Sequence, residues 1–74
     1  MTRNEVARVQ SYLRKTFGNN GIEIDMPEKD GQPVEVRLHS EFIGVLHRDV
    51  DEGEVSYCMM MTILEEDLPP DLSR

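Results

Sequence analysis

The chain has no tryptophan, a single cysteine and four phenylalanine and tyrosine residues in all, Tyr12, Phe17, Phe42 and Tyr57. A lone Cys58 excludes an internal disulfide, and with only His39 and His47 as imidazole ligands beside it the chain has no cysteine-based zinc centre. So few aromatics provide no platform for stacking exposed bases. Long apolar runs are also missing. No segment approaches the roughly 20 apolar residues of a membrane span, and the opening "MTRNEVARVQ" lacks the apolar core of a signal peptide. The expected setting is therefore the cytoplasm, with no membrane partner. Cations are scarce as well: 8 Lys and Arg against 15 Asp and Glu give a net charge of -7, which opposes broad binding to nucleic acid or anionic lipid.

Motifs with chemistry are equally sparse. Five isolated glycines form no phosphate-binding loop. The acidic stretch "DVDEGE", Asp49 to Glu54, superficially suggests calcium. Counted from Asp49, however, glycine falls one position early and Met60 stands where an EF-hand places its closing carboxylate, so a solvated hairpin tip is expected. His39 and His47 have no neighbours at ligand spacing, and the strand register derived below sets His47 and Cys58 on opposite faces, which forbids a Cys–His dyad. No catalytic residue, metal or cofactor is assigned, and a non-enzymatic protein is expected.

What is present is a clear succession of periods. Thr2 and Glu5 fit a capping box opening a helix near residue 3. Val6, Val9, Leu13 and Phe17 then fall on one helical stripe, and Gly18 ends it. From Ile22 the period becomes 2, with Ile22, Ile24 and Met26 and then Val34, Val36 and Leu38 as inward positions around the "PEKDGQP" turn. The predicted elements are a helix near 3–17 and antiparallel strands near 22–27, 33–38, 41–48 and 54–64. The fold class is α+β, one N-terminal helix packed on a four-stranded antiparallel meander (α-β-β-β-β), forming a single domain over 1–68 with an extended or frayed tail at 69–74.

Register decides the surface. A two-residue turn at His39-Ser40 pairs Leu38 with Glu41, Val36 with Ile43 and Val34 with Val45, all on the helix side. Ile43, Val45, Tyr57, Met59, Met61 and Ile63 then join the inner core. The outer face receives Phe42, Leu46, Met60 and Leu64, with Cys58 and Gly44 between them. Only the tail, through Leu68 and Leu72, is left in the chain to cover that apolar patch.

The segments "EVARVQSYLRKTF", "EFIGVLHRDVDEGEVSY" and "MTILEEDL" resemble a family of short, acidic bacterial proteins known as a domain of unknown function, found chiefly in alphaproteobacteria. The resemblance runs from the first helix to about Leu68, and "EFIGVL" with the following "DEGE" and "SY" is its most specific part. It implies the same boundaries and a cytoplasmic setting, and brings no activity, cofactor or catalytic residue with it.

Two functions from different classes follow. The first is a protein-interaction module that docks on another protein or self-associates as a homodimer through Phe42, Leu46, Met60 and Leu64. The alternative is a nucleic-acid-binding domain using the helix cations Arg3, Arg8, Arg14 and Lys15, which against Glu5 alone give residues 1–17 a charge of +3 on an otherwise acidic chain. The overall charge and the missing stacking platform weigh against the second.

Overall fold

A computed structural model describes residues 1–29 and 31–71. Asp30 of the predicted turn, and Leu72 with the last two positions of the tail, lie outside the described residues. Helix α1 spans Arg3–Phe17 as the sequence predicts. Its start is a complete capping box: the Glu5 N–H donates to Thr2 Oγ1 at 3.1 Å and the Thr2 N–H to Glu5 Oε1 at 2.9 Å. Gly18 closes it in the left-handed conformation, φ 62°, where its N–H and that of Asn19 bond back to the last-turn carbonyls.

Four strands follow, β1 Ile22–Ile24, β2 Val34–Leu38, β3 Glu41–Asp51 and β4 Glu54–Met60, and a short 3₁₀ turn at Glu65–Asp67 lies beyond them. They form one antiparallel sheet in chain order. Both tight turns have the left-handed residues of two-residue hairpins, His39 and Ser40 at φ 50° and 70°, then Glu52 and Gly53 at 52° and 81°. The acidic tip is correspondingly smaller than "DVDEG": β3 stays in the ladder through Asp51 and only Glu52-Gly53 turns.

Register departs from expectation in both tight hairpins, by a bulge between β2 and β3 and by one residue between β3 and β4, where His47 pairs with Cys58. Leu38 pairs with Glu41 and Arg37 with Phe42, as the His39-Ser40 turn dictates, but Val36 then pairs with Gly44 and Val34 with Leu46. Ile43 is the additional residue of a β-bulge, which exchanges the faces of everything after it on β3. Leu46, expected outside, is 2% exposed in the core, while Val45, expected inside, shares the outer face with Glu35 and Met60. Gly44 permits the arrangement, because a Cβ there would meet the Met60 carbonyl oxygen at 2.5 Å.

Met1, Val6, Leu13, Ile22, Ile24, Val34, Val36 and Leu46 form the buried cluster, with Val9, Leu38, Ile43, Tyr57 and Met59 partly buried against it. Four other predicted core residues, Phe17, Met26, Met61 and Ile63, are exposed. The reason is the position of α1. By backbone proximity it lies over β1, fastened there by Arg14 Nε donating to the Ile22 carbonyl at 2.7 Å and by Gln10 Oε1 accepting from the Ile24 N–H at 2.9 Å. One helix of about 10 Å diameter cannot span four strands spaced at about 4.8 Å. Beyond Leu46, moreover, β3 has lost β2 as a neighbour, so residues 47–51 pair only with 54–58 in a two-stranded arm. The radius of gyration of 14.5 Å exceeds the roughly 11 Å of a compact domain of this length.

Candidate functional site

One carboxylate joins α1 to the arm. Arg48 and Tyr57 are cross-strand partners, and the bulge turns Arg48 to the helix side, where Tyr57 already faces. There Arg48 Nε donates to Glu5 Oε2 at 2.8 Å and the Tyr57 hydroxyl donates to the same oxygen at 2.5 Å, while Glu5 Oε1 remains in the capping box. The Tyr57 hydrogen bond, then the Thr2 N–H and Arg48, hold the Glu5 carboxyl at a pKa of about 2. Glu5 in turn pushes the Tyr57 phenol and the Arg48 guanidinium upward. A carboxylate so fully hydrogen-bonded is a poor proton acceptor near neutral pH, so the arrangement is a clamp between elements. The capping-box spacing pointed to Glu5. Its partners were not legible, because without the bulge Arg48 faces outward.

Beside the clamp lies the open half of the helix-side face. A groove of about 380 Å³ runs between α1 and β4, lined by Arg8, Val9 and Tyr12 on one side and by Leu46, Tyr57 and Met59 on the other. A second hollow of about 280 Å³ continues it toward the helix C-terminus, with Leu13 and Met59 common to both and Phe17, Ile43 and Met61 beyond. Tyr12 and Phe17 are 66% and 63% exposed. Sequence reasoning missed this surface by assuming that the helix covers its whole face of the sheet. The stripe signal was present, since Tyr12 borders it.

The expected outer patch is divided by the structure. Phe42 and Met60 are on the outer face and exposed, Leu46 is buried beneath the helix, and Leu64 lies exposed in the extended segment after β4. The remaining outer surface is interrupted by Arg37, which donates to Asp25 Oδ2 at 2.9 Å and Glu35 Oε1 at 3.1 Å. The tail does not lie across it as a lid within the described residues, for Leu68 is exposed.

The four helix cations do not form one surface. At about 100° per residue, Arg3 and Arg14 share one side of the helix and Arg8 and Lys15 another, about 120° away. Arg14 is already bound to the Ile22 carbonyl. His47 and Cys58, expected on opposite faces, are direct cross-strand partners on the exposed outer face. Of the two only His47 has changed faces, and neither lines the grooves just described. Among the described residues no group of three or more His, Cys, Asp and Glu is placed to hold a metal ion, and no helix is long and apolar enough to cross a membrane.

No curated protein and no solved structure matches the chain. A family model does, over residues 5–67, from the clamp carboxylate to the end of the 3₁₀ turn, and the chain belongs to that family, described as a protein of unknown function (DUF3126).

Proposed function

We propose that the protein is a non-enzymatic interaction module of the bacterial cytoplasm that associates with its own kind through the open half of its helix-side face. The observation that carries this reading is the uncovered groove between α1 and β4, where Tyr12 and Met59 border apolar floor that a single helix leaves open. Apolar surface of this kind on a small chain is most simply covered by association. The sequence reading placed the contact on Phe42, Leu46, Met60 and Leu64. With Leu46 in the core, the surface moves to the opposite face. The nucleic-acid reading has no comparable support, because its cations are divided between two sides of the helix.

Sedimentation equilibrium of the wild type and of Tyr12→Glu tests the proposal. Tyr12 is exposed, so the charge leaves the fold intact, and it is expected to weaken self-association at least tenfold, or about 1.4 kcal/mol. A wild type that stays monomeric up to several hundred micromolar refutes the reading.

A further inference from the structure

We infer that two copies join along their β4 strands in antiparallel fashion, and that the acidic, apolar segment after β4 of each copy fills the α1–β4 groove of the other. This rests on the self-association reading and specifies its geometry.

The first observation is the edge. β4 is the last strand of an open sheet, and its sequence "EVSYCMM" contains no proline and no lysine, the usual guards of an exposed edge. The Glu52-Gly53 hairpin makes Asp51 and Glu54 the pair that exchanges ladder bonds. By alternation Val55, Tyr57 and Met59 direct their N–H and C=O groups away from β3, to the open edge. Two of these three, Tyr57 and Met59, also line the groove, so edge pairing brings a partner strand directly alongside it.

The second observation is complementarity. The groove has an apolar floor and two charged residues in its lining, Glu5 and Arg8; Glu5 is paired with Arg48, whereas Arg8 has no ion-pair partner among the described residues. A fitting occupant is extended, apolar and acidic. The chain carries such a segment where an antiparallel pairing delivers it. After Met60 it leaves the sheet as Met61–Leu64, turns at Glu65–Asp67 and continues to Leu68. Ile63, Leu64 and Leu68 are each more than half exposed in their own protomer, while Glu65, Glu66 and Asp67 supply three negative charges without a cation. In an antiparallel pairing centred near Met59, Met61 and Ile63 of one copy run beside Tyr57 and Val55 of the other, at the groove that Arg8 and Tyr57 line. Each groove is then completed by a segment from the second copy, and the apolar residues left open in the single chain are covered on both sides of the two-fold axis.

The lone Cys58, exposed on β4, gives a direct test in the native sequence. If most of β4 pairs, the two Cys58 Cα atoms lie within about 15 Å of each other, whatever the register. A spin label at Cys58 should therefore show dipolar broadening at concentrations where the protein is dimeric. Leu64→Glu is expected to weaken the dimer at least tenfold, and Val55→Pro, which removes an outward N–H without breaking a β3–β4 bond, should do the same. Helical circular dichroism of each variant reports whether the monomer is intact. Should Val55→Pro disturb the fold, Leu64→Glu, at an exposed position, decides alone. A dimer without broadening, or one indifferent to Leu64→Glu, overturns the β4 geometry and leaves self-association standing. A monomer at all concentrations overturns both.

Discussion

The two halves of the sheet are built from similar residues and are finished differently. β1 and β2 place Ile22, Ile24, Val34 and Val36 beneath α1, and all four are buried. β3 and β4 place Ile43, Tyr57 and Met59 on the same face, and these are only partly covered, with Val50 and Val55 of the arm exposed. Side-chain chemistry does not separate the two sets. What separates them is the helix, tied to β1 by Arg14 and Gln10 and to the other half by Glu5. Burial is set here by which strands the one available helix reaches. The half that it leaves open is where association is expected.

The sharpest way to test that contrast is to truncate one residue from each kind of environment on a single strand. Leu46→Ala should cost about 2–5 kcal/mol, since Leu46 is 2% exposed and its removal leaves a cavity in a small core. Phe42→Ala, the larger truncation at 53% exposure, should change stability by less than about 0.5 kcal/mol. Urea denaturation of the two variants decides between this arrangement and the unbulged register, in which both residues face outward and both costs would be small.

The exchange of faces after the bulge also shows where the sequence was legible. Helix α1 was readable to the residue, because Thr2, Glu5 and Gly18 each satisfy a backbone requirement that few residue types meet. The first hairpin was readable from its turn length. The bulge was not, because "FIGVL", Phe42 to Leu46, is apolar at four positions and glycine at the fifth, so either parity buries apolar residues and alternation carries no information about phase. Beyond it the pattern regains meaning only when Arg48 and Tyr57 are seen to share Glu5 as a partner. The candidate site was lost with the phase, since Leu46, His47 and Arg48 all changed faces together. The strand ends at Ile24 and Met60 were overrun for a different reason: periodic apolar residues continue past both, while the ladders stop there.

A smaller effect tests what allows the two halves to meet. In Gly44→Ala the new methyl would lie 2.5 Å from the Met60 carbonyl oxygen, a backbone atom that cannot rotate aside. Relief requires β4 to move at its end, at a cost of about 1–3 kcal/mol. Amide exchange should accelerate around Met59 and Met60 while Ile22 to Ile24, in the covered half, keep their protection. Equal acceleration in both halves would mean that the sheet responds as one unit.

The last test concerns the link itself and depends on pH. The Glu5 carboxyl has a pKa of about 2 in the folded chain against an ordinary value of 4.5. Because the folded value is depressed, the stabilisation is fully present above the unfolded pKa and is lost as pH falls through the interval from 4.5 to about 2. Glu5→Gln removes that dependence while keeping a side chain able to cap the helix. The wild type should therefore exceed the variant in urea midpoint at pH 7, the difference should narrow below 4.5, and it should vanish near the folded value. Other carboxylates titrate in both proteins and cancel in the difference. The Tyr57 phenol, now held above its ordinary 10.0 chiefly by its bond to Glu5, should titrate closer to that value in the variant, a shift visible in the ultraviolet spectrum. A stability difference that is constant between pH 7 and pH 2.5, or a Tyr57 titration unmoved by the substitution, would show that Glu5 only caps its own helix. The arm would then be held to α1 by packing alone, through Val9, Leu46 and Met59 along the floor of the groove.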